Sequence, residues 1–236
     1  MAISAERSVS SPLRDTWTWL RAHPSAVLML TQLGGILVYP FLGDSGTGRG
    51  AFGTIGLVVL VMAVFAVRAT QALTWVSLVL GGPLVVLTVL EAMRPDNGAI
   101  VVGSSLLHAV FYFYTAWALI RYMFHDDEVT NDEIWATGAT FTVVAWGFAY
   151  LYVAVQVVWP GSFTAAVDAE QQRSWVELLF LSVTTLTSTG LSDVVPVLPH
   201  ARSVVMLEQI AGMLYIALVI ARVMALLSAR KARRSS

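Results

Sequence analysis

Between Thr184 and Pro196 the chain reads T-T-L-T-S-T-G-L-S-D-V-V-P: small hydroxyl residues, one glycine, one aspartate and a closing proline. Hydroxyl oxygens and backbone carbonyls in such a run can replace the hydration shell of a cation, and a carboxylate beside them can concentrate cations at an entrance. That chemistry is coordination, with no bond made or broken. Strings that carry enzyme chemistry elsewhere lack their setting here. Gly43-Asp44-Ser45-Gly46 copies a serine-protease string, and Gly48-Arg49-Gly50-Ala51-Phe52-Gly53 fits G-x-G-x-x-G, but both fall in one short loop between apolar blocks. No strand precedes the glycines, and no His/Asp partner set accompanies the serine. There is no H-E-x-x-H and no cysteine, so neither a zinc enzyme nor a disulfide framework is indicated. An enzyme is not expected, and no cofactor is expected.

The elements that would hold the hydroxyl run lie in a membrane. The chain has 236 residues, 57% hydrophobic and 12% charged, with mean hydropathy +0.72; a soluble domain carries about 25% charged residues. Net charge is −1, which implies no polyanionic partner and no nucleic acid. Apolar blocks at 25–42, 51–68, 72–93, 99–124, 134–158 and 204–227 are each long enough for a ~30 Å hydrocarbon core. A seventh, 175–187, is too short to cross and reads as re-entrant. Arg7, Arg14 and Arg21 before the first block, without a convincing cleavage site after it, fit an uncleaved first span.

Orientation follows the cations. With the N-terminus inside, Arg7, Arg14, Arg21, Arg68, Arg121, Arg222, Arg230, Lys231, Arg233 and Arg234 sit at cytoplasmic ends, and Arg49, Arg94, Arg173 and Arg202 outside. Both termini are then cytoplasmic, which requires an even number of spans. The expected fold is an all-α membrane protein with six transmembrane helices plus a re-entrant helix and loop per subunit. Its parts are a cytoplasmic N-terminus (1–24), a four-helix unit (25–130), a pore domain (131–229) and a basic tail (230–236) suited to anionic lipid.

Ser174-Trp175-Val176-Glu177 has capping-box spacing, so the re-entrant helix should start there. Running inward, its C-terminal carbonyls would carry partial negative charge toward the membrane centre. The chain must return as irregular backbone, which is tolerated at that depth only inside protein or along a water-filled path.

The return segment resembles the pore signature of potassium channels, S-V-T-T-x-T-T-V-G-Y-G-D-x-x-P, on Ser182, Val183, Thr184, Thr185, Thr187, Gly190, Asp193 and Pro196. The likeness extends over roughly 159–227, including Trp159-Pro160-Gly161-Ser162-Phe163 and a run of Leu207, Glu208, Gly212, Leu214 and Tyr215. It is closest to the bacterial six-span, non-voltage-gated members. The resemblance implies a homotetramer around a central pore in a bacterial cytoplasmic membrane. It also implies an ion-conducting filter of Thr187, Ser188, Thr189, Gly190, Leu191 and Ser192, with Asp193 at the outer mouth and Thr184, Thr185 and Glu208 behind the filter.

Two positions depart from the pattern. Leu191 stands where the family has a tyrosine that braces the filter wall, and Ser192 where it has a second glycine. A non-glycine residue held at positive φ there would cost about 1–2 kcal/mol. The expectation is a monovalent-cation pore with weakened potassium selectivity, passing both K+ and Na+. Two other readings fit: a poorly conducting pore-fold sensor or scaffold, and a relative of the potassium transporters, whose chains carry four repeats where this one carries a single copy.

Further positions attach to gating. Gly212 is mid-span, a candidate hinge or a close-packing glycine. Ile216, Ile220 and Met224 recur every four residues and could form a constriction. Glu208, ionisable inside a span, is expected to bond with Gln209 or re-entrant-helix hydroxyls. The fourth span carries only Arg121, not the arginine series that makes opening steeply voltage-dependent. His108 is expected to be packed and hydrogen-bonded. His125-Asp126-Asp127-Glu128 with Asp132 and Glu133 lacks calcium-loop spacing and reads as a solvated acidic linker with a helix cap.

Overall fold

Asn97 marks the first well-defined helix start: its side chain accepts the N–H groups of Ala99 and Ile100, and the helix that follows runs without a break from Gly98 to Met123. In the computed structural model of the chain, described for residues 19, 22–41, 56, 58–66, 74–125 and 130–235, the elements are α1 (Pro24–Val38), a 3-10 turn (Tyr39–Phe41), α2 (Thr74–Met93), α3 (Gly98–Met123), α4 (Asn131–Val158), β1 (Phe163–Ala165), α5 (Trp175–Leu186), β2 (Val194–Pro196) and α6 (Pro199–Ser235). Residues 58–66 are also helical.

Among the described residues, four helices are long and apolar enough to cross a membrane: Pro24–Phe41, Gly98–Met123, Asp132–Val158 and Pro199–Met224. Two shorter apolar stretches, Val79–Met93 and Trp175–Leu186, accompany them. Residues 51–55, 57, 67 and 68 of the second expected span, residues 1–18, the loop with Gly43-Asp44-Ser45-Gly46 and Gly48 to Gly53, linker residues 126–129 and the side chains of the tail from Arg230 lie outside the described residues. The helix α2 continues through Pro83.

The core is a helical hairpin. The most extensive packing is between α3 and α4; α5 and α1 lie on α4, α2 lies on α3, and α6 lies on α5 and α4. Aromatic rings fill the α3–α4 seam. His108 stacks on Tyr150 with centroids 4.1 Å apart, and Tyr112 meets Trp146 edge-on at 6.0 Å. His108 is buried and its Nδ1 lies 2.9 Å from the Ser104 carbonyl.

At the α3–α4 linker the solvated reading is corrected for Asp132 and Glu133; His125 is exposed, and residues 126–129 lie outside the described residues. Thr130 does cap α4, accepting the Glu133 N–H at 3.2 Å. Asp132 and Glu133, however, are buried. The Asp132 carboxylate accepts the Ser25 N–H at 3.1 Å and the Ser25 hydroxyl at 2.8 Å. His23 at the N-cap of α1 makes no side-chain capping bond, so Asp132 supplies the acceptor that this helix start needs. One linker acid is thus committed to an interhelical cap.

Candidate functional site

The site grows from the start of α5. Ser174 and Glu177 form the expected capping box: the Glu177 N–H donates to Ser174 Oγ at 3.3 Å, and the Ser174 N–H donates to Glu177 Oε2 at 2.6 Å. Arg173 adds a second clamp. Its guanidinium pairs with Glu177 at 3.3 Å and donates to the carbonyls of Val167, Asp168 and Gln171. The Gln156 amide of α4 bonds both ways to the Arg173 backbone, at 2.9 and 3.1 Å. Trp175, the first residue of α5, lies edge-on to Trp146 at 4.8 Å. The helix entry is therefore fixed on α4 by polar and aromatic contacts together.

Its exit is closed by its own chain. Ser188 has φ 58°, in the left-handed region. The Ser188 N–H reaches the Thr185 carbonyl at 3.0 Å, and the Thr189 N–H reaches the Thr184 carbonyl at 3.0 Å. This is a Schellman ending with serine where glycine is usual. The Gly190 N–H also reaches the Thr184 carbonyl, at 3.2 Å. The Thr184 and Thr185 carbonyls are thus occupied by the following residues, and the two threonines themselves are buried.

Beyond this turn, Thr187 to Leu191 are exposed. The Thr187 and Thr189 hydroxyls lie 3.0 Å apart, a pair of oxygens on the open side of the loop. Gly190 takes φ 65°, as its type allows. The expectation of a strained Ser192 is corrected, because its φ is not positive. Its Oγ instead accepts the Val194 N–H at 3.1 Å, so the upper loop takes a path that serine tolerates. Leu191 is 77% exposed, so nothing in its own chain braces it. Asp193 is exposed and makes no hydrogen bond or ion pair among the described residues.

A short ribbon holds the loop's far end. The strands β1 and β2 pair antiparallel, Phe163 with Pro196, Thr164 with Val195 and Ala165 with Val194, and the Val197 N–H bonds the Ser162 carbonyl at 2.9 Å. The segment 187–193 is suspended between the capped end of α5 and this ribbon. The stretch that holds α4, the short α5, the exposed oxygen-rich loop and the long α6 is covered by one comparison: a family model described as "Ion channel" matches residues 106–229, more than half of the chain. The chain belongs to this ion channel family. It is a membrane protein and a channel, not an enzyme. No curated protein and no solved structure matches it.

The long helix α6 carries the remaining predicted residues. Glu208 is fully buried and lies in hydrogen-bond contact with hydroxyls of two elements, Tyr152 of α4 and Ser182 of α5. The expectation of a hydroxyl on the re-entrant helix is met; Gln209 is exposed, and the second partner is Tyr152. Gly212 faces the backbone of Leu186, where a Cβ would lie 2.3 Å from the carbonyl oxygen. Ile216, Ile220 and Met224 are exposed on α6 in the single chain. The Tyr215 hydroxyl donates to the Thr137 carbonyl at 2.5 Å, and the Arg222 guanidinium lies over Phe124 at 5.5 Å. Sequence reasoning missed Tyr152, Gln156 and the clamp role of Arg173. A hint existed for the last: Arg173 directly precedes the capping box.

Proposed function

We propose that the channel is a homotetramer whose six-span subunits surround one cation pathway lined by the backbone and hydroxyl oxygens of Thr187 to Ser192. The observation that carries this reading is the exposed, oxygen-bearing loop between a capped half-length helix and a ribbon, in a chain of the ion channel family. One copy offers oxygens from one side only. Shedding an ion's hydration shell requires oxygens all around it, so several copies must contribute.

Four Asp193 carboxylates then ring the outer entrance and raise the local cation concentration. Leu191 and Ser192 set a looser upper filter than the tyrosine and glycine of the potassium-channel signature, so K+ and Na+ both pass. With a single arginine in the fourth span, opening depends weakly on voltage. Both termini face the cytoplasm, the basic tail rests on anionic lipid, and the membrane is a bacterial cytoplasmic one.

Native mass spectrometry of the detergent-solubilised protein tests the assembly. A species of four chains supports the reading. A stable monomer or dimer overturns it, and a tetramer without current would favour a sensor or scaffold built on the same fold.

A further inference from the structure

The Ser182 hydroxyl lies between two oxygens. The Ala145 carbonyl of α4 is 2.9 Å away, and Glu208 Oε1 is within hydrogen-bond reach on the other side. A hydroxyl has one proton to donate, and a carbonyl can only accept. The other carboxyl oxygen, Oε2, already accepts the Tyr152 hydroxyl. Were Glu208 ionised, one of Ser182's two contacts would be acceptor against acceptor.

A proton on Glu208 removes the conflict. Glu208 donates to Ser182, Ser182 donates to Ala145, and Tyr152 donates to Glu208, so each hydroxyl proton has one acceptor. The surroundings agree. Glu208 is fully buried, and buried charges are normally paired. Yet, among the described residues, the elements packed on this part of α6 present no cation to it. From α4 comes Tyr152, the one titratable group that touches it; from α5 comes Ser182, while the helix's acid, Glu177, is paired with Arg173 at the far end. Asp193, beside β2, is exposed.

We propose that Glu208 is a neutral carboxylic acid at neutral pH, a proton donor that positions α5 between α4 and α6 through Ser182. It is a positioning residue: Ser182 lies one helical turn before Leu186 and Thr187, so the tie sets where the oxygen-bearing loop begins. The proposal stands on the hydrogen-bond count and holds whichever cations the pore carries.

Infrared difference spectroscopy of the full-length protein in lipid at neutral pH tests it without any measurement of current. Wild type minus Glu208→Gln should show the loss of one protonated-carboxyl C=O band, and Ser182→Ala should move that band to higher frequency as the acid loses its acceptor. Glutamine supplies an N–H for Ser182 and a carbonyl for Tyr152, so Glu208→Gln should fold and melt close to wild type while Glu208→Ala melts lower. A spectrum in which only a carboxylate band is lost overturns the proposal. So does a Glu208→Gln protein that fails to fold, since the amide reproduces every bond the neutral acid makes.

Discussion

Gly212 of α6 lies directly against Leu186, the last residue of α5, with so little room that a β-carbon at 212 would sit 2.3 Å from the Leu186 carbonyl oxygen and 3.0 Å from its α-carbon. The neighbour is backbone, which cannot swing aside as a side chain can. The long helix α6 and the base of the oxygen-bearing loop are therefore in mechanical contact, and a shift of α6 is felt one residue before Thr187.

Gly212→Ala should accordingly force α5 and α6 apart. Overpacking of this kind costs about 1–3 kcal/mol. The thermal midpoint of the purified protein should fall, with a reduced yield of assembled protein. Wild-type melting together with an altered open probability would instead make Gly212 a hinge.

Ser188 holds a left-handed conformation that disfavours L side chains by roughly 1–2 kcal/mol. Ser188→Gly relieves that penalty, less the extra chain entropy of glycine, for a net gain of about 0.5 kcal/mol. Ser188→Val places a β-branched residue at positive φ and should melt well below wild type. Equal melting of the two variants would show that residue 188 is not held at positive φ in the assembled protein.

Leu191 and Ser192 depart from the potassium-channel pattern, and both have structural consequences: one side chain is unbraced by its own chain, and the other anchors Val194. Leu191→Tyr with Ser192→Gly frees the upper loop and adds a hydroxyl that can bond the wall. The potassium-to-sodium permeability ratio should rise about tenfold, equivalent to ~1.4 kcal/mol. An unchanged ratio would place the selectivity determinant elsewhere.

On the proposed cation pathway, Asp193 acts at long range. Asp193→Asn should reduce single-channel cation conductance at 10 mM salt, where the Debye length is about 30 Å, and leave it nearly unchanged at 1 M, where it is about 3 Å. A reduction of equal size at both salt concentrations would indicate a change of loop shape rather than loss of surface charge.

Local features of this fold are legible in the chain. The capping box follows from two residues three apart, and α5 starts at the expected residue and ends at Leu186, one before the expected 187. The long apolar blocks reappear as α1, α3, α4 and α6, because length and apolarity alone identify a span. What could not be read are the pairings across the sequence. Asp132 looked solvated in a run of acids, yet Ser25, 107 residues away, makes it a helix cap. Tyr152 and Glu208 are 56 residues apart and meet only once α4 and α6 have packed. The three-residue strands that hold the loop's far end are too short to show an alternating pattern. Ser192 misled because a glycine in the family signature suggests positive φ, whereas here a serine hydroxyl bonded to Val194 makes another path available.

The central claim, a tetrameric cation pathway with weakened potassium selectivity, is tested most directly by reversal potentials of the purified protein in a planar bilayer. A KCl gradient should give a reversal near the cation equilibrium potential. Equal K+ and Na+ on opposite sides should give a reversal near zero. A reversal at the potassium limit would contradict the weakened filter, and chloride current, or no current under any condition, would contradict the cation pathway itself.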